Sequence, residues 1–331
     1  MKKFIKEIKN SRLYKMLFLC LNFFQDFKLY CKHSNVFTVN NLLKKEAKLI
    51  LNYHSLEKGM LFNELKLGYG KDKVIKLNEY LNDDEIIKNI TRSQILVAYQ
   101  VMCKYYEIHK NNGHDISDFY SINQYNKYKS LLDKNYTVNF NGAIDYDFNT
   151  FYSFNDSNFE LFAKSRKSIR SFTGRIVPKS LIYKAIDLAL TAPSVCNRQA
   201  SKVYLIEDKK KIDDILEIQG GFRGYSKSVH QLLIVSNDRN YYYNIGERNQ
   251  FYIDGGLFLM NLLYSLHFYK IANCPANWGK TIDSERRLDG IINIEKSEKI
   301  ICLIPIGIAE QRFRVTLSKR RNVGEILTVI N

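Results

Sequence analysis

The 331-residue chain is poor in the residues that staple, break or mark common folds: four prolines, one tryptophan and six cysteines. The cysteines (Cys20, Cys31, Cys103, Cys196, Cys274, Cys302) form no C-x-x-C pair, which removes the usual zinc-ribbon and disulfide-scaffold patterns. Reduced, mostly buried thiols in a cytoplasmic protein are the expectation. No run of about 18 uncharged apolar residues occurs, so a membrane-spanning helix is not expected. H-E-x-x-H, G-x-x-x-x-G-K-[ST] and G-x-G-x-x-G are missing too, leaving the zincin, P-loop and simple dinucleotide-binding readings without their fingerprints. Proline and glycine are also unevenly spread. All four prolines lie beyond residue 177, and only five of sixteen glycines fall in the first 165 residues. A half nearly free of both reads as long helices with few tight connections.

What is abundant is positive charge, 50 Lys and Arg against 34 Asp and Glu, a net of +16. Such a field favours polyanions or anionic membranes, although a chain rich in Lys, Asn, Ile and Tyr has the composition of AT-rich coding. The excess is localised. Residues 1–48 hold eleven Lys/Arg against Glu7, Asp26 and Glu46, a net of +8, and residues 151–331 hold 27 basic against 18 acidic. The basic residues are not interleaved with aromatics on one module, so no nucleic-acid partner is expected. The basic start precedes the apolar stretch Leu13–Phe24. Asn22, Gln25 and Asp26 and the lack of a small-residue cleavage site count against a signal peptide. Two readings stand: a helix packing its aromatic face on the rest of the protein, or peripheral membrane contact through residues 1–35.

Periodicity organises the remainder. A helix is expected from Val39 to Tyr53, and Asp83-Asp84-Glu85 reads as the acidic start of a helix running to about Lys110. Residues 111–156 lose the pattern and mark a boundary region. This gives a mainly helical part of unassigned role over 1–150 and a second domain over 155–331. There, a helix over 181–190, a strand over 203–207, a helix over 208–218, a strand over 231–236, a nearly all-apolar helix over 251–269 and a strand over 300–308 alternate, ahead of a basic tail over 311–331. The alternation implies an α/β or α+β sheet domain, and the 251–269 helix implies burial on most sides.

Chemistry concentrates at two places. Arg166-Lys167-Ser168-Ile169-Arg170-Ser171-Phe172 gathers three cations and two hydroxyls, donors suited to a phosphate. Thr191–Gln199, with Pro193, Ser194, Asn197 and Gln199, follows a helix directly. Its amide side chains can read a ring edge that offers N–H and C=O side by side, or cap their own backbone.

Arg166-x-Ser168-x-Arg170-x-Phe172 followed by Ala192-Pro193-Ser194-x-x-Asn197-x-Gln199 resembles the flavin-binding signature of the nitroreductase family of FMN-dependent oxidoreductases. Asp254-Gly255-Gly256 with the apolar helix after it, the loop Ala272–Trp278, Ile304–Gly307 and Ser318–Leu327 are similar to further family elements in the same order. The match spans roughly residues 160–331. Ala200-Ser201 replace the family's usual Pro-Trp, and the elements covering the substrate are reduced. His54-Ser55-Leu56-Glu57-Lys58-Gly59-Met60 resembles an N-terminal extension of nitroreductase-like proteins. His54 and Glu57 would share a helix face there, in a capping, packing or ligand role.

The resemblance implies an α+β fold, a mixed or antiparallel sheet flanked by helices, and non-covalent FMN at a homodimer interface. It assigns Arg166, Lys167, Ser168 and Arg170 to the phosphate, ribityl chain or pyrimidine edge. Pro193, Ser194, Asn197 and Gln199 fall to the ring, Ala276 and Asn277 to the region near N5, and one of Lys319, Arg320 and Arg321 to the phosphate. It implies NADH or NADPH as donor and a nitroaromatic, quinone or other organic acceptor, in a ping-pong cycle with no acid–base dyad and no metal. The competing reading is a membrane-surface accessory protein of the same fold with little or no redox activity.

Overall fold

A computed structural model describes residues 11–33, 36–62, 64–137, 140–242 and 244–330. Lys2, Lys3, Lys6, Glu7 and Lys9 of the basic start, residues 34 and 35, and Asn331 of the basic tail lie outside the described residues. The chain divides into two compact units, residues 1–144 with 316–331, and residues 145–315. The expected division was 1–150 and 155–331. The difference at the C-terminal end is that the last sixteen residues belong to the helical unit.

The first unit carries α1 (Arg12–His33), α2 (Leu42–Gly59), α3 (Lys71–Leu81), α4 (Asp84–Lys88), α5 (Ser93–Asn111) and α6 (Ile122–Leu132). The helix expected from Val39 begins three residues later, because the Asn41 side chain accepts from the Lys44 N–H and caps it there. The acidic triplet does not open one long helix. Asp83 caps the five-residue α4 through the Glu85 and Ile86 N–H groups, and the chain turns before α5 starts. Residues 111–132 are no linker either. Ser121 and Gln124 form a capping box, and Ile116, Tyr120, Tyr128 and Leu132 enter a core with Leu49, Leu56, Leu77, Tyr99 and Tyr105. Tyrosine misleads here. It reads as polar, yet its ring buries well when the hydroxyl finds a partner, as Tyr99 does on the Leu81 carbonyl at 2.6 Å.

A buried ionic knot ties the C-terminal segment into this unit. Glu46 is fully buried and accepts from Arg92 Nε and Nη2 at 3.1 and 3.0 Å, and Arg321 Nη1 approaches it at 2.9 Å. Glu325 accepts from the Ser93 N–H at 2.9 Å and pairs with Arg321 at 3.2 Å. It thereby caps α5, whose own cap residue, Arg92, gives no side-chain cap.

The second unit holds β1 (Ala143–Asp147, its first two residues in the other unit), α7 (Phe148–Phe151), α8 (Phe159–Ser165), α9 (Lys179–Ala189), β2 (Ser201–Ile206), α10 (Lys209–Gln219), β3 (Gln231–Asp238), α11 (Gln250–Phe268), β4 (Ala272–Asn273), β5 (Ala276–Asn277), α12 (Ile282–Asp289), β6 (Glu298–Gly307) and β7 (Arg312–Thr316, its last residue in the other unit). The main sheet runs β2-β3-β6-β4, with β5 also on β6 and every pairing antiparallel. The architecture is α+β, as expected. All eight β3 residues are buried, the signature of a strand covered on both faces. α9 and α11 supply Ile182, Ala185, Phe258 and Leu262 against Leu233, Val235 and Ile304. Gly255 lets α11 approach β6, since a Cβ there would lie 2.6 Å from Ile301.

Two further expectations are corrected. α11 is not buried on most sides: Tyr252, Ile253, Leu257 and Met260 are exposed. The thiols divide, with Cys103, Cys274 and Cys302 buried but Cys20 and Cys196 exposed.

Candidate functional site

α8 ends at Ser165, and the chain continues extended from Arg166. The Ile169 N–H donates to the Asn273 carbonyl of β4 at 2.9 Å, and Phe172 bridges Ala309. This stretch buries Ile169 and Phe172 as apolar anchors and carries Arg170 inward between them. Gly307 is needed where Phe172 crosses β6, because a Cβ would lie 2.8 Å from its ring. Arg166, Lys167 and Ser168 stay partly exposed.

Arg170 is only 9% exposed, yet its Nε and Nη1 have no hydrogen-bond partner. A buried guanidinium with unmatched N–H groups is costly in isolation, and its free donors have the chemistry to hold an anion or a carbonyl acceptor. Tyr225 is close by: burial pushes its hydroxyl up to about 12, against the opposing pull of the Arg170 charge. Trp278 adds a second buried, unmatched donor in Nε1, and Asn273 an unmatched acceptor in Oδ1.

Behind Arg166 lies His267, buried on α11. The Ser165 hydroxyl donates to the Phe162 carbonyl at 2.8 Å, so its oxygen accepts from His267 Nε2–H at 2.8 Å. Burial, and secondarily the Arg166 charge, lower the His267 pKa to about 4. The imidazole is therefore neutral at pH 7 and adds no competing positive charge beside Arg166.

The loop after α9 has a different anchor. Asp254, buried at the first turns of α11, accepts from the Val195 N–H at 3.3 Å, Gln250 Nε2 at 2.9 Å and the Tyr242 hydroxyl at 3.1 Å. Arg198 clamps the outer side, donating to the Tyr241 carbonyl at 2.7 Å and to Glu247 at 2.9 Å. Between these anchors Cys196, Asn197 and Gln199 all hold left-handed backbone, φ 49, 56 and 51°. Each such non-glycine residue costs about 1 kcal/mol or more and persists only where its surroundings enforce it, commonly at a ligand site. The Ser194 hydroxyl accepts from the Gln199 N–H at 3.0 Å, and Gln199 Nε2 donates to Asn197 Oδ1 at 3.1 Å. Pro193, Ser194 and Gln199 line a small cavity of about 20 Å³ with Asp254 and Phe258.

Asn277 and Ala276 lie on β5, paired with Cys302 and Leu303. The Gly279 N–H donates to Asn277 Oδ1 at 3.1 Å, and Gln219 Nε2 donates to the Asn277 carbonyl at 3.1 Å. Lys319, Arg320 and Arg321 belong to the helical unit: Lys319 and Arg320 are exposed, and Arg321 is committed to Glu46 and Glu325. The His54 ring nitrogen Nδ1 contacts Glu57 Oε2 at 3.1 Å, the two side chains sharing a face of α2. Sequence reasoning missed Asp254, Arg198 and His267 as organisers. Asp254 was visible only as part of a motif, and nothing local marks a buried carboxylate as a loop anchor.

Residues 163–222 match the profile of the Nitroreductase family. The match takes in Arg166–Phe172 and the strained loop 193–199 together. A nitroreductase-like protein from Streptococcus mutans is 21% identical over 52% of this chain and 98% of its own, with a TM-score of 0.45. An FMN-dependent nitroreductase from Clostridium difficile R20291 is 17% identical over 50% of this chain and 92% of its own, with a TM-score of 0.41. A nitroreductase family protein from Clostridium novyi NT is 18% identical over 46% and 86%, with a TM-score of 0.40. No curated protein matches the chain. Ala200 is buried, and its carbonyl accepts from the Asp238 N–H at 3.0 Å, extending the β2–β3 edge.

Proposed function

We propose that the protein is an FMN-dependent oxidoreductase, and the observation that carries this reading is the buried guanidinium of Arg170, whose Nε and Nη1 lack partners. FMN offers the acceptors such a group lacks, in its phosphate oxygens and its pyrimidine carbonyl. Arg166 and Ser168, with Lys167 beside them, would hold the same polar part of the cofactor, and neutral His267 keeps Arg166 as the local charge. Pro193, Ser194, Asn197 and Gln199 would face the ring. Their strained backbone orients the amide groups before binding and so reduces the ordering cost. Ala276 and Asn277 would approach the ring near N5.

When bound, FMN supplies the hydride chemistry between NADH or NADPH and a nitroaromatic, quinone or other organic acceptor. The chain binds, orients and excludes water, and no acid–base dyad is required of it. The second copy in the proposed homodimer would cover Ile253, Leu257 and Met260, whose spacing makes one exposed apolar stripe along α11.

Purified protein should be yellow, or become so on adding FMN, and should then oxidise NADH or NADPH in the presence of a quinone. Colourless protein that takes up no FMN would sink the reading. The exposed apolar surface of α1 favours the accessory-protein alternative. Flavin binding without any NAD(P)H oxidation across an acceptor panel would leave that alternative standing.

A further inference from the structure

We propose that α1 is an interfacial helix that docks the protein on an anionic lipid surface, lying in the headgroup plane. The proposal is independent of the flavin reading. Leu13, Met16, Leu17, Phe18, Leu21, Phe23, Phe24 and Phe27 are 44–68% exposed, and none joins the core of the helical unit. Stepping 100° per residue, Leu13, Met16, Leu17, Leu21, Phe23, Phe24 and Phe27 fall within roughly half the circumference. Lys15, Asn22, Gln25, Asp26 and His33 occupy the other half, and only Phe18 among the exposed large apolar residues departs from the division. A contiguous apolar face of this width on an outer helix marks an interaction surface.

Charge identifies the occupant. Residues 1–33 carry Lys2, Lys3, Lys6, Lys9, Arg12, Lys15, Lys28 and Lys32 against Glu7 and Asp26, a net of +6. A second copy would bring the same +6 against this one, whereas anionic headgroups neutralise it. Arg12 and Lys32 project at the margins of the apolar face. Lys28 stands inside it, its Nζ over the Phe24 ring at 4.6 Å from the centroid, a cation–π contact that holds one cation against the apolar surface. No described helix is long and apolar enough to cross a membrane, and Lys15 and Asp26 within α1 fit a helix lying in the surface.

The test is cosedimentation of the full-length protein with vesicles of phosphatidylcholine alone and of phosphatidylcholine mixed with phosphatidylglycerol. Binding should favour the anionic vesicles by at least about tenfold and weaken as salt is raised. A double variant, Phe24→Asp with Phe27→Asp, should lose that binding by about tenfold or more. Both side chains are exposed, so circular dichroism and Tm should be unchanged. Failure to bind anionic vesicles would overturn the proposal, as would equal binding to both vesicle types. So would an oligomer in the parent protein that the double variant reduces to a smaller species, since α1 would then cover a second copy.

Discussion

The two compact units treat buried arginine-binding chemistry in opposite ways. In the helical unit the fully buried carboxylate of Glu46 is satisfied by Arg92 and Arg321, and Glu325 closes the set on Arg321 and the Ser93 N–H. In the sheet unit the nearly buried guanidinium of Arg170 keeps Nε and Nη1 without partners. Close burial with unequal pairing is the contrast. A charge whose partners come from the same chain holds the fold, and one without them is, on the proposed reading, placed for a ligand.

Mutations sharpen the contrast. Glu46→Ala removes the fully buried acceptor shared by the partly exposed guanidiniums of Arg92 and Arg321, with three charge-assisted contacts, and should cost about 3 kcal/mol, read as a large drop in the Tm of the transition that melts the helical unit. Next in size is a pH effect in the sheet unit. His267 has a folded-state pKa lowered to about 4, so between there and the ordinary value near 6.5 the unfolded chain binds the extra proton. Stability should therefore fall as pH drops through that window, by up to about 3 kcal/mol. His267→Gln should flatten that part of a denaturant-midpoint-against-pH curve, and an unchanged curve would show that the imidazole titrates alike in the folded and unfolded chain.

Smaller effects follow for the loop. Asp254→Asn replaces an acceptor-only group facing three donors with one that presents two N–H groups of its own. It should cost about 1–3 kcal/mol and weaken FMN binding with it. Unchanged affinity would mean that the left-handed backbone at 196–199 does not depend on α11. Smallest, Ser121→Ala removes one half of the capping box on α6 and should cost about 1 kcal/mol without touching flavin binding.

The sheet unit was largely legible because its punctuation is local. Pro178 and Asp208 mark the starts of α9 and α10, the apolar run at 231–236 falls inside β3, and the run at 300–308 overlaps β6 up to Gly307. The Arg166–Phe172 and 193–199 motifs could be read for the same reason, being contiguous in sequence. What escaped detection was non-local. The start of α5 receives its cap from Glu325, 232 residues away, so no window around Arg92 could reveal it. The loop 193–199 is held by Asp254 from across the unit, and residues 111–132 hid their core role behind tyrosines. The all-apolar pattern of α11 implies burial on most sides, whereas its outer stripe stays open.

The most direct test is Arg170→Met, measured twice, by thermal melting of the flavin-free protein and by titration with FMN. If Arg170 awaits a ligand, the flavin-free variant should be as stable as the parent or more so, since an uncompensated buried charge has been removed. FMN should then bind it about a hundredfold more weakly, a loss of some 3 kcal/mol. A variant that melts far lower, as Glu46→Ala should, yet binds FMN with undiminished affinity would contradict the account.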